Sequence, residues 1–171
     1  MRYSKKLLFI AVILIIGVLL TIPFVIVKTN IRQNEKQKFS SYKGDFEMVN
    51  KYILDICSSN TKTSFNIIYE DKKISSLVMF SEDSSQETKI FLKDDIKEAL
   101  NNIEENLMTS SFDYIDVTSE RISYGGLGNR VYVYSRNGEK PTYYLSPNND
   151  RASYNTYYLN DNWYMLKSIS R

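Results

Sequence analysis

The sequence predicts an α+β domain behind a single transmembrane helix, and three observations carry the prediction. Leu7 to Val27 is an uncharged run of 21 residues, with Arg2, Lys5 and Lys6 before it and Lys28 and Arg32 after it. Apolar residues then recur at spacings of three and four in two stretches, 39–53 and 96–107, the signature of helices with one buried face. Beyond Met108 the period changes to two, and turn residues cut the chain into short segments, the signature of strands. Helices followed by a run of strands imply an antiparallel meander sheet with about two helices packed on one face.

The apolar run comes first. At ~1.5 Å per helical residue, 7–27 is long enough to cross a hydrocarbon core of roughly 30 Å. A cleaved signal peptide is the competing reading, but Thr21 to Val27 offers no pair of small residues at the spacing a cleavage site needs. Basic residues nearly balance across the span, with Lys28, Arg32, Lys36 and Lys38 beyond it. A short basic segment ahead of a first span stays inside, so the domain is expected outside the cytoplasm. The expected organisation is therefore a short basic cytoplasmic tail at 1–6, a membrane anchor at 7–27, a charged stalk at 28–38, and one extracytoplasmic domain at 39–171 on the cell membrane. The lipid bilayer is the first partner, through residues 7–27.

In the domain, Phe39, Tyr42, Phe46, Val49 and Ile53 mark one face of the first helix, which Ser58-Ser59-Asn60 ends. Ser64 to Glu70 and Ile74 to Ser81 are rich in β-branched and aromatic residues and read as two strands, with Asp71-Lys72-Lys73 turning between them. Glu82 to Glu87 reads as a polar loop and Ile90-Phe91-Leu92 as a short strand. Asp94 and Asp95 then open a second helix, placed favourably against the positive end of its dipole. Ile96, Leu100, Ile103 and Leu107 form its apolar stripe. Six further strands are expected at 112–117, 121–124, 130–136, 142–146, 154–159 and 163–169, separated by Gly- and Asn-rich turns. The order is compatible with a repeated helix-strand-strand unit, but the two halves share little beyond it.

Composition excludes several chemistries. There is no histidine and only one cysteine, Cys57, which removes ordinary zinc sites, serine triads and internal disulfides. Residues 28–171 carry 19 basic and 20 acidic side chains, so there is no nucleic-acid footprint. Residues 28–119 hold 12 basic and 16 acidic side chains, and 120–171 hold 7 and 4. Gly125-Gly126-Leu127-Gly128 precedes a strand rather than a helix and reads as a turn, not a phosphate loop. No cofactor and no metal ligand set is expected.

Ten of the fourteen tyrosines follow Ser111. Arg130, Tyr132, Tyr134 and Arg136 fall on one side of their strand, and Val131, Val133 and Ser135 on the other. The small β-branched side is expected to face the core and the arginine-tyrosine side to face outward. Asn137-Gly138 favours a tight hairpin into 142–146, with Arg136 opposite Glu139 and Tyr132 opposite Tyr143, or opposite Tyr144 if Pro141 forces a longer loop. Arginine and tyrosine make good interface anchors. Arg130, Tyr132, Tyr134, Arg136 and Tyr143 are therefore the candidate binding residues for a protein or peptide partner. A non-enzymatic, membrane-anchored interaction domain is the expected function. The alternatives are a surface-polymer hydrolase using carboxylates such as Asp113 and Asp116, whose strand parity sets them on opposite faces, and a structural subunit of a membrane-associated machine.

Overall fold

The computed structural model describes residue 10 and residues 32–57, 62–82, 84–108, 111–126, 130–141, 144–145, 151–152 and 154–168. The chain divides into two compact units, Met1–Gln37 and Lys38–Arg171. In the first, residues 32–37 are helical. Among the described residues no helix is long and apolar enough to cross a membrane. The apolar run 7–27 lies outside the described residues except for Ile10.

The second unit is an α+β domain. Helix α1 (38–56) precedes strands β1 (Thr63–Glu70), β2 (Lys73–Ser81) and β3 (Ser84–Phe91). Helix α2 (Asp94–Leu107) precedes β4 (Tyr114–Val117), β5 (Arg121–Gly125) and β6 (Arg130–Ser135). A two-strand ribbon follows, β7 (Tyr144–Leu145) with β8 (Arg151–Ala152), and then β9 (Tyr154–Asn160) and β10 (Trp163–Ser168). The main sheet has eight antiparallel strands in the order β3-β2-β1-β4-β5-β6-β10-β9.

The order is more than a meander. Two α-β-β-β units stand back to back across the β1–β4 pair, one strand longer in each than the helix-strand-strand order that the sequence only weakly suggests. The added strand is β3, which starts at Ser84 where a polar loop to Glu87 was expected. β3 is an edge strand, and an edge strand needs no apolar pattern. β10 also departs from a meander, since it lies between β6 and β9.

Local chemistry explains the turns. Asp71 and Lys72 both take positive φ, 52° and 65°, in the two-residue turn that sets Glu70 opposite Lys73, as hairpin turns of the primed type require. A bulge in β2 leaves Ser75 without a partner in β1, between the Ile68–Ser76 and Tyr69–Ile74 pairs. The N–H of Ile74 beside it is taken by Asn101 Oδ1 on α2 at 3.1 Å, so the irregularity of the strand is satisfied by the helix above it.

The core lies between the helices and one sheet face. Phe39, Phe46, Val49 and Ile53 of α1 and Ile96, Ala99, Leu100, Ile103 and Leu107 of α2 are all buried in one cluster. The facing sheet residues follow from register: Met79, Phe65, Ile115, Tyr124, Tyr132, Met165 and Tyr157 form one row across seven strands. Trp163 sits where the aromatic side chains converge, with ring centroids 4.8 Å from Phe46, 5.3 Å from Phe39 and 5.2 Å from Tyr134. Such tilted and edge-on contacts add to the area these rings bury.

This corrects the expected orientation of β6. Tyr132 is 1% exposed and belongs to the core, stacked on Phe39 at 6.1 Å, and Tyr134 packs on Trp163 on the same face. The expected hairpin is also replaced. β6 pairs with β5 and β10, so Tyr132 lies opposite Tyr124 and Met165 rather than Tyr143 or Tyr144. Gly138 has φ of 78°, as the Asn-Gly signal requires, but β10 already occupies that edge of β6. Arg136 does not face Glu139; its Nη1 donates to the Thr118 carbonyl at 3.2 Å.

Candidate binding face

Both helices lie on one sheet face, which leaves the other to be accounted for. The register that sends Tyr132 inward sends Val133 to this second face, in the row Phe80, Ser64, Asp116, Ser123, Val133, Tyr164 and Tyr158. Beside it, on one flank, runs a second row of Val78, Asn66, Tyr114 and Gly125, which Val131, Leu166 and Thr156 continue across β6, β10 and β9.

The β6–β10 part of this face is closed. Val131, Val133, Tyr164 and Leu166 form a small buried apolar cluster with Tyr114 and Tyr154 packed against it. The segment after β6 crosses over it: the Tyr164 hydroxyl donates to the Gly138 carbonyl at 3.1 Å, and the Thr156 hydroxyl donates to the Pro141 carbonyl at 3.3 Å. Pro141 is buried. Both faces of β6 are thus occupied, which is why its valines and its tyrosines are equally apolar in context.

The β1–β4 part is open. A shallow depression of about 430 Å³ is lined by Ser64, Asn66, Ile68, Tyr114, Asp113 and Asp116. Ser64 donates to Asp116 Oδ1 at 2.7 Å and Ser111 donates to Asp113 Oδ2 at 3.0 Å, so each carboxylate is held by a serine. Ser123, next to Asp116 in the row, is 1% exposed, and its Oγ has no hydrogen-bond partner among the described residues. A smaller hollow of about 170 Å³ lies between the Asn137–Pro141 segment and β5–β6, lined by Glu120, Arg121, Ser135, Glu139 and Lys140. Tyr158 stands at the far end, 42% exposed, with its ring edge-on to Tyr164 at 5.7 Å.

The candidate residues separate accordingly. Tyr132 is in the core, Tyr134 is half-buried against it, Arg130 is half-exposed at the start of β6, and Arg136 is exposed. Tyr143 lies outside the described residues. The tyrosines that reach the second face are Tyr114, Tyr154, Tyr158 and Tyr164. The alternation Tyr154-Asn155-Thr156-Tyr157-Tyr158 carried the signal for two of them. Asp113 and Asp116, read as facing opposite ways, line the same depression, because Asp113 precedes β4 and is not bound by its alternation.

The remaining reactive groups are quiet. Burial pushes the Cys57 thiol up, against the smaller opposing pull of a Thr63 hydrogen bond and the Arg136 charge, the reverse of what an activated thiolate needs. Among the described residues no group of three His, Cys, Asp or Glu side chains is placed to hold a metal ion. No family model, curated protein or solved structure matches the chain. Fold and face together define an α+β domain with one sheet face covered by helices and the other half covered by its own connecting segment.

Proposed function

We propose that this protein is a membrane-anchored, non-enzymatic interaction domain that holds a protein or peptide partner against its second sheet face. One observation supports the reading above others. The face opposite the helices joins an open polar depression at Ser64, Asn66 and Asp116 to aromatic side chains at Tyr114 and Tyr158. Aromatic anchors beside hydrogen-bonding groups suit a protein partner. In this reading residues 7–27 span the bilayer, residues 1–6 stay inside, and the domain works outside the cytoplasm.

The test is crosslinking in native membranes with the full chain as bait, beside a variant carrying Asn66→Arg and Tyr158→Ser. Asn66 and Tyr158 are both exposed, and an unchanged circular-dichroism spectrum checks that the variant keeps its fold. A defined partner captured by the parent and lost by the variant supports the reading. Equal capture by both moves the site off this face. Protease added to intact cells should digest the domain if it lies outside, and leave it whole if the orientation is reversed.

A second reading, hydrolysis of a surface polymer, has one observation in its favour: Asp113 and Asp116 line one depression. Asp116→Asn abolishing hydrolysis of a wall or surface polymer by the full chain would establish it. The parent releasing no product from such polymers would remove it.

A further inference from the structure

Asn137-Gly138 is the chain's single Asn-Gly pair. Every other asparagine is followed by a residue with a side chain, which crowds the main-chain nitrogen beside it. Asn137 and Gly138 are both exposed and lie beyond the end of β6. Gly138 has φ of 78°, the left-handed conformation that favours glycine.

The Asn137 side chain is held in a particular place. Its Oδ1 accepts from the Ser135 hydroxyl at 2.8 Å and from the Glu139 N–H at 3.0 Å. The second bond is the Asx-type contact to the residue two positions on. It folds the side chain back along Gly138, the residue in between. Both donors aim at Oδ1, the atom that turns negative when a nucleophile adds to Cγ. Donors already placed where charge develops lower the barrier to such an addition. The nucleophile at hand is the Gly138 main-chain nitrogen, next in the chain and with no side chain beside it.

We propose that the folded chain converts Asn137 to aspartate and isoaspartate without an enzyme, by attack of the Gly138 nitrogen on Asn137 Cγ, and that the isoaspartate form loosens the segment closing the second face. The Gly138 N–H gives its proton to hydroxide, and the nitrogen forms a bond to Cγ. The Cγ–Nδ2 bond breaks, and Nδ2 takes a proton from water and leaves as ammonia. Water then opens the cyclic imide. Breaking the new N–Cγ bond leaves aspartate; breaking the bond from the main-chain carbonyl to that nitrogen leaves isoaspartate. No atom changes oxidation state. Aspartate keeps the main chain as it was and still offers an oxygen to Ser135 and Glu139. Isoaspartate routes the main chain through Cγ and lengthens it by one carbon. The displaced neighbour is Gly138, whose carbonyl accepts from the Tyr164 hydroxyl at 3.1 Å. That bond ties the segment over the Val133–Tyr164 cluster, so its loss opens the cover.

The experiment stores the full chain in detergent at neutral and at mildly alkaline pH. It is then digested at acidic pH, so that no conversion occurs during handling. Each asparagine-containing peptide is read by mass and by isoaspartyl methyltransferase labelling. Asn137 should convert ahead of every other asparagine, faster at the higher pH, and at least as fast as in a synthetic peptide of residues 134–140. Asn137→Gln should remove the labelling there, because its ring is larger and closes more slowly. Ser135→Ala, with an unchanged circular-dichroism spectrum, should slow the conversion several-fold. A glutamate-specific protease should cut stored protein after Glu139 several-fold faster than fresh protein. Asn137→Asp carries the new charge without the longer main chain and should be cut like fresh protein. The proposal fails if Asn137 is intact when other asparagines have converted, or if the peptide converts several-fold faster than the folded chain. It fails equally if Ser135→Ala leaves the rate unchanged or raises it, or if stored and fresh protein are cut alike.

Discussion

The hydroxyl of Tyr124, wholly buried at the centre of the sheet, donates to the side-chain oxygen of Asn50 on α1. Asn50 is itself 7% exposed, so the bond crosses the helix–sheet boundary inside the core. Burial holds the Tyr124 phenol well above its ordinary range, which keeps it a donor. Asn50→Leu removes the acceptor and strands the phenol, at a cost of about 1–3 kcal/mol. Tyr124→Phe combined with Asn50→Leu should recover part of that loss, because both ends are then apolar. Urea unfolding of the four proteins in the cycle measures the coupling, and strictly additive losses would show that the bond contributes nothing.

Trp163 offers a second check, since it is the chain's single tryptophan and is 1% exposed. Its fluorescence should be blue-shifted in the folded protein and move to the red on unfolding. Trp163→Ala should cost about 3–5 kcal/mol, as for other large aromatic truncations, because Phe39, Phe46 and Tyr134 all lose a ring neighbour. Trp163→Phe should cost clearly less. Similar losses for the two would deny the ring its central place.

Two glycines should respond in opposite directions. A Cβ on Gly44 in α1 would have nothing within 4 Å, so Gly44→Ala should stabilise by about 0.5–1 kcal/mol through helix propensity. A Cβ on Gly126 would meet the Ser111 carbonyl oxygen at 1.8 Å. That neighbour is backbone and cannot swing away, so Gly126→Ala should lower the melting temperature. Thermal unfolding of the pair decides the matter, and equal shifts would contradict it.

Alkaline pH should weaken the fold through Tyr69. Its hydroxyl lies 2.6 Å from Glu104 Oε1 and 2.7 Å from the Phe112 carbonyl. Burial first, and then the Glu104 carboxylate, hold the phenol well above its usual value. A folded pKa raised above the unfolded one gives stability that is complete below about pH 10 and is lost as pH climbs from there toward the folded value. Tyr69→Phe should flatten this alkaline decline while lowering stability at pH 7. A decline just as steep in the variant would place its origin elsewhere.

The helices were legible because one face of each does one job. Phe39, Phe46, Val49 and Ile53 repeat at helical spacing and are all fully buried. Most strands were legible for the same reason. β6 was not, because its two faces are both buried: Tyr132 against the helices and Val133 beneath the Gly138–Pro141 segment. Alternation says which residues share a side, but with apolar residues on both sides it cannot say which side is which. The choice then depends on what covers each face: α1, far away in sequence, on one side, and the Gly138–Pro141 segment on the other. The partner of β6 was hidden likewise. Asn137-Gly138 reports a local turn, and the strand that fills the edge beyond it begins only at Trp163. Of the candidate site, the tyrosine-rich character was legible and its membership was not, since Tyr114 and Tyr158 owe their place to register.

The placement of β10 between β6 and β9 bears on how the protein is made. A ribosome delivers α1, both three-strand units and most of the aromatic core before it delivers Trp163. Until residues 163–166 clear the exit tunnel, Phe39, Phe46 and Tyr132 lack the ring that joins them, and β6 keeps an open edge. The nascent domain therefore waits, sticky and incomplete, for its tenth strand, and mutations that slow the insertion of that strand should show up in cells as lost yield before they show up in a purified protein as lost stability.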